Sequence, residues 1–116
     1  MIIVRTILYS LPVKQKEVLQ TLLSMVEPPT NGNGLLNYGI YQDIEDETVF
    51  KLISEWKTRE DVNNHLCSDQ FGVLLGSRIL LRKAIEVQIC TVSRVEGMEV
   101  VRSVRKHKNV NPKTVQ

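Results

Sequence analysis

Residues 2–10 constrain the fold more than any other segment, because apolar side chains occupy both alternating sets of positions. A strand with one exposed face alternates apolar and polar residues, whereas a strand covered on both faces is apolar throughout. This segment therefore predicts a central strand whose two faces both need cover. The two sets are Ile2, Val4 and Leu8, and then Ile3, Ile7 and Tyr9.

The length and the composition predict one small domain. A chain of 116 residues with 42% hydrophobic content has room for a single core. Its apolar runs are only a few residues long, far short of the roughly 20 that a membrane-spanning helix needs. The first residues also lack a basic segment followed by a continuous apolar stretch. Cys67 and Cys90 stand apart, which predicts free thiols, and we expect a cytoplasmic protein with no membrane association.

Hydrophobic periodicity predicts the order strand, helix, strand, strand, helix, strand. Prolines and glycine-rich turns punctuate these segments, and Thr58 to Asp61 has the pattern of a capping box at a helix start. This order is the split βαβ arrangement, a ferredoxin-like α+β fold with an antiparallel sheet and helices on one face. The predicted strands cover residues 2–10, 35–43, 48–57 and 84–95, and the helical segments cover 12–28 and 58–80.

The net charge of +2 divides unevenly along the chain. Residues 1–96, the predicted domain, carry ten basic and twelve acidic side chains, whereas residues 97–116 carry five basic ones against Glu99. A basic tail of this kind can contact phosphate or an anionic surface. Without interleaved aromatic residues, it is more typical of a solvated, frayed terminus. We therefore expect no nucleic-acid binding.

An open sheet with helices on one side leaves the second face of the first strand exposed. An apolar sheet face in water is a docking surface, and the simplest cover is another copy of the same sheet. The sequence thus predicts a homodimer in which two sheets pair.

The pattern Phe50-x-Leu-x-Ser-Glu55-Trp56-x-x-x-Glu60-x5-Leu66, with His65 inside it and followed by Ser68-x-x-Phe71, resembles the antibiotic biosynthesis monooxygenase family. The resemblance extends over about residues 1–95. It implies a ferredoxin-like domain that pairs into a dimeric α/β barrel. It also implies an oxygenase for quinols or polyphenols that needs no metal or flavin, or a haem-degrading protein.

The haem-degrading branch fits this sequence poorly. The resemblance places Leu75 where that branch has its histidine ligand and Thr6-Ile7 where it has an asparagine. A leucine has no electron pair to donate to iron. We therefore expect no metal and no bound cofactor.

Trp56 and His65 are the candidate catalytic residues. Trp56 can stack on an aromatic substrate or present its indole N–H to an oxygen intermediate, but it can equally be a core residue. His65 can remove a phenolic proton, since its ordinary pKa of about 6.5 lies near working pH. Its alternative role is a structural hydrogen bond in the helix layer.

The candidate substrate-binding residues surround this pair. Phe71 and Leu75 are expected as pocket walls, while Tyr38 and Tyr41 point to opposite faces of their strand, so that only one of them can line a given cavity. Arg5 and Arg78 can bind an oxyanion or a carboxylate, and Glu55 or Asp43 can pair with Arg5. Two hypotheses remain: a cofactor-independent monooxygenase acting on a small aromatic substrate, or a non-catalytic dimeric module that binds a ligand or a protein.

Overall fold

The computed structural model describes residues 1–25 and 32–110. These residues form four strands and four α-helices, and short 3-10 turns precede the first helix and follow the third. The elements are β1 (Ile2–Tyr9), α1 (Gln15–Ser24), β2 (Leu35–Gln42), β3 (Val49–Trp56), α2 (Arg59–Leu66), α3 (Asp69–Leu75), β4 (Glu86–Thr91) and α4 (Met98–Val110).

All four strands belong to one antiparallel sheet with the order β2-β3-β1-β4. β1 lies inside the sheet, as its sequence predicts, and pairs with β3 on one side and β4 on the other. Ile2 is opposite both Trp56 and Thr91, so β1 starts at the end of the sheet where β3 and β4 finish. This arrangement confirms the ferredoxin-like α+β fold.

The core lies between one face of the sheet and helices α1 to α3. Alternate residues of β1 and β3 point into it, and Leu8, Leu22 and Leu74 are fully buried there. A second, smaller cluster surrounds Trp56 at the other end of the same face and contains Ile2, Val4 and Val62. The helices therefore cover the sheet from end to end on one side only.

The second face of the sheet is a mixture of apolar and charged side chains. Ile7 is only 8% exposed within a single chain, while Arg5 is half-buried and donates a hydrogen bond to Gln88 at 3.3 Å. The expected partners of Arg5, Glu55 and Asp43, are not the ones it contacts. Gln88 lies directly across from it on β4, which is the closer neighbour in the register.

Two of the predicted boundaries differ from the structure for identifiable reasons. β4 ends at Thr91 rather than at residue 95, because Thr91 is opposite Ile2, the first residue of β1. The Met1 carbonyl oxygen accepts a last hydrogen bond from the Val92 amide at 3.0 Å. The first helix begins with a 3-10 turn at Pro12 and continues as α1 to Ser24. Its predicted end near residue 28 lies outside the described residues.

The C-terminal segment forms a helix where the sequence predicts a frayed terminus. α4 extends over 13 residues, and its described side chains are exposed apart from half-buried Val100. The expectation of a frayed terminus was wrong. It was based on the dispersed charges, but Val100, Val101 and Val104 lie at helical spacing and favour a helix. Across the described residues, no helix has the length and apolar character to cross a membrane.

Candidate functional site

The end of β3 supplies the two innermost residues of the site. Residues two apart on a strand point to the same face, so Ser54 and Trp56 both face the helices, 4% and 6% exposed. The indole Nε1–H donates a hydrogen bond to the Ser54 hydroxyl oxygen at 2.8 Å. The indole N–H is thus satisfied inside the protein and fixes the orientation of the ring.

Helix α2 brings His65 against this tryptophan. The helix starts as a capping box, because the Thr58 hydroxyl oxygen accepts a hydrogen bond from the Asp61 amide at 3.1 Å. Its last turn carries His65, whose ring lies 4.7 Å from the Trp56 ring, centroid to centroid, at an interplanar angle of 32°. The ring of Phe71 in α3 also contacts the imidazole, edge-on, with the centroids 5.3 Å apart. The histidine is therefore in contact with two aromatic rings.

A small inner cavity lies beneath this aromatic group. The space open to the centre of a water-sized sphere is about 30 Å³, and a buried water needs roughly 10–15 Å³ by the same measure. The cavity therefore has room for about two water-sized molecules. Trp56 and His65 border it together with apolar Met25, Leu35 and Leu52 and with polar Tyr38, Ser54 and Gln70.

A larger outer cleft of about 420 Å³ adjoins this cavity. Trp56, His65 and Gln70 border both spaces. The other walls of the cleft are polar and include the carboxylates Asp61 and Asp69. Hydroxyl groups of a neutral ligand can donate hydrogen bonds to such acceptors, whereas an anionic ligand would be repelled.

The structure brings three of the predicted site residues together and places three elsewhere. His65 contacts both Trp56 and Phe71, but Phe71 belongs to the main core and borders neither the inner cavity nor the outer cleft, so it is not the pocket wall that the sequence predicts. Leu75 is not a wall of this pocket; it is 47% exposed and borders a separate groove near the opposite end of β1. Leu75 is the last residue of α3 and lies more than one helical turn beyond Gln70, which borders the cavity.

Tyr41 and Arg5 lie on the second face of the sheet, away from the cavity. Tyr41 is 55% exposed and is opposite Lys51 on β3, while Arg5 is opposite Ile53. Both odd-numbered positions alternate with the helix-facing ones, so neither can reach Trp56 through the sheet. Tyr38 is the tyrosine of β2 that borders the inner cavity.

Several lining residues were absent from the sequence-based candidates, among them Ser54 and Gln70 of the inner cavity and the carboxylates Asp61 and Asp69 of the outer cleft. Ser54 could have been found, since it precedes Trp56 by two positions on the same strand face. Gln70 carries no such signal, because it lies in the first turn of a short helix whose placement depends on tertiary packing. In the described part of the chain, no group of three His, Cys, Asp or Glu residues could hold a metal ion.

Comparison with known proteins identifies the family. A model of the antibiotic biosynthesis monooxygenase family matches residues 1–74. No curated protein matches the chain. Among solved structures, an antibiotic biosynthesis monooxygenase is 22% identical, with a TM-score of 0.71 over 81% of this chain and 100% of that one.

Two further solved structures share the fold. A conserved protein from Methanosarcina mazei Go1 is 27% identical, with a TM-score of 0.69 over 77% of this chain and 89% of that one. A proposed antibiotic biosynthesis monooxygenase from Deinococcus radiodurans is 14% identical, with a TM-score of 0.74 over 84% and 97%. The family match covers more than half of the residues and includes both Trp56 and His65. The chain therefore belongs to the antibiotic biosynthesis monooxygenase family.

Proposed function

We propose that the protein is a cofactor-independent monooxygenase that oxidises a quinol-like or polyphenolic small molecule with O2. The observation that carries the proposal is the contact between the tilted rings of Trp56 and His65, which border both the outer cleft and the inner cavity. A flat substrate in the cleft would contact the aromatic pair along one edge. The inner cavity beyond it has room for a molecule of the size of O2.

The proposed reaction needs a base and an electron-rich substrate. His65 accepts a proton from a phenolic hydroxyl of the substrate or from the CH2 group of an anthrone, and the resulting anion passes one electron to O2. The substrate radical and superoxide then combine to form a carbon–oxygen bond. Protonation of this peroxide and loss of water leave one oxygen atom in the product, so an anthrone CH2 becomes a carbonyl and the second oxygen leaves as water. The substrate supplies all four electrons, which is why the proposal includes no metal and no flavin.

The composition of the cleft favours a hydroxylated, uncharged ring system. Asp61 and Asp69 are acceptors that a phenolic hydroxyl can reach, and they would repel a carboxylate. Asp61 is also held in place, since the Thr58 hydroxyl donates to its Oδ2 at 2.8 Å. A fixed acceptor orients a ligand at a lower entropic cost than a mobile one.

The homodimer is part of the same proposal. A second copy packed on the mixed face of the sheet would cover Ile3, Ile53 and the exposed ring of Tyr41. Sedimentation should then give twice the chain mass of 13.3 kDa. The two cysteines form no disulfide, which agrees with the proposed cytoplasmic location.

Oxygen uptake tests the proposed activity. Purified protein treated with a chelator should consume O2 when anthrone or a naphthalene-1,4-diol is added, in excess of the uncatalysed rate. The variant His65→Gln should lower kcat by roughly 100-fold or more, the usual contribution of a general base. The chain contains only one other histidine, His107 on the exposed face of α4, and His107→Gln is the matched control that should leave uptake unchanged.

The alternative is a binding module without chemistry, which the small inner cavity favours. In that case a quinol would perturb Trp56 on binding, but oxygen uptake would stay at the uncatalysed rate. Uptake that is absent for every quinol and anthrone, or that is equal in wild type and His65→Gln, would contradict the oxygenase.

A further inference from the structure

A second groove lies next to the end of β1 that carries Tyr9. Its volume is about 480 Å³, and it shares no lining residue with the Trp56 cleft. The Arg82 amide donates to the Tyr9 carbonyl oxygen at 2.9 Å, which attaches this segment to the sheet. Leu81 and Ile85 form an apolar floor and pack against the main core. The groove is therefore a built feature of the fold.

Three cations border the groove, and none of its lining residues is acidic. Arg82 is held in place, because its guanidinium lies 3.2 Å from the Thr48 hydroxyl and 3.5 Å from the Asp46 carboxylate. Lys83 lies 3.8 Å from the centroid of the Tyr9 ring. Its ammonium group is also 3.6 Å from the Glu86 carboxylate.

Arg78 differs from these two. Across the residues that the structure describes, its guanidinium makes no hydrogen bond or ion pair. A guanidinium can bind a carboxylate through two parallel N–H groups. The groove thus combines an apolar floor, two fixed cations and one cation whose donors remain available.

We propose that this groove binds a small amphipathic carboxylate, with the carboxylate on Arg78 and the apolar part on the floor formed by Leu75, Leu81 and Ile85. This site goes beyond the proposed oxygenase activity, because its charge preference is opposite to that of the Trp56 cleft. A hydroxylated neutral ring suits the cleft, and an organic anion suits the groove. The two sites lie near opposite ends of β1.

The test uses a matched pair of probes that differ only in charge, 1-naphthoate and 1-naphthamide. In nuclear magnetic resonance spectra, 1-naphthoate should shift the amide signals of residues 75–85. The neutral amide should bind at least roughly fivefold more weakly, the loss expected for a charged hydrogen bond at a partly exposed site. Shifts confined to residues 61–70, or equal affinity for the two probes, would overturn the proposal.

Charge-matched variants then test the role of Arg78. Arg78→Gln should weaken 1-naphthoate binding roughly five- to tenfold, while its binding of 1-naphthamide should stay the same. Arg94→Gln removes the same charge beyond the far end of β4 from the groove and should leave the affinity for 1-naphthoate unchanged. An equal loss in both variants would mean that net charge alone attracts the probe, and the assigned site would be wrong.

Discussion

Removal of the Ser54 hydroxyl tests the internal support of the candidate site. In Ser54→Ala the indole N–H of Trp56 loses its acceptor. The Trp56 residue is only 6% exposed, so water replaces that acceptor poorly. A buried donor without a partner costs about 1–3 kcal/mol. The neighbouring cavity of about 30 Å³ can admit a water that replaces the hydroxyl in part. We therefore expect a loss of about 1–2 kcal/mol in the free energy of unfolding, or roughly 3–8 °C in Tm for a domain of this size.

A double-mutant cycle separates this hydrogen bond from other effects of the substitution. Urea unfolding is followed by circular dichroism for wild type, Ser54→Ala, Trp56→Phe and the double variant. Once phenylalanine has removed the donor, Ser54→Ala should cost at most about 0.5 kcal/mol. Ser24→Ala, at an exposed position of α1, is the control for loss of a serine hydroxyl. It should change the free energy of unfolding by less than about 0.5 kcal/mol. If Ser54→Ala costs the same in the wild-type background as in the Trp56→Phe background, the hydrogen bond does not support the site.

Two further predictions concern the Thr58 cap of α2 and the Asp46 carboxyl before β3. Thr58→Ala removes the helix cap of α2 and should lower the free energy of unfolding by about 1 kcal/mol, whereas Thr58→Ser should keep it; equal stability of both variants in urea would contradict the cap. Hydrogen bonds from Thr48 hold the pKa of Asp46 below its ordinary value of 3.8. A carboxyl whose pKa is lowered by folding stabilises the fold above its unfolded pKa and loses that contribution as pH falls through the folded pKa. Urea midpoints should therefore fall less steeply below about pH 4 in Asp46→Asn than in wild type, and parallel curves would contradict the assignment.

The first three strands could be predicted closely because their sequence signals are local. Alternation identifies β3 and places Phe50 and Trp56 on one face, and the structure buries both. The capping box at Thr58 likewise sets the start of α2 from side-chain chemistry alone. Such features depend on a few neighbouring residues, so no tertiary information is needed to find them.

The site could be predicted only in part, because its walls come from several elements. The family resemblance singles out Trp56 and His65, but their mutual distance depends on how α2 packs against the end of β3. The position of Leu75 depends in the same way on the length of α3, and the sequence does not show that it borders the second groove. Helix α4 was not predicted, because its apolar residues around Val101 are interspersed with charged ones.

The single indole N–H signal of the protein offers the most direct test of where a substrate binds, since Trp56 is the only tryptophan. Under anaerobic conditions, a naphthalene-1,4-diol should shift this signal and the amide signals of residues 61–70 in proportion to its concentration, while its dimethyl ether, which cannot donate hydrogen bonds, should shift them far less. An indole signal that stays unmoved at saturating quinol, or that responds equally to the ether, would contradict the assignment of the Trp56–His65 cleft as the binding site for a hydroxylated aromatic substrate.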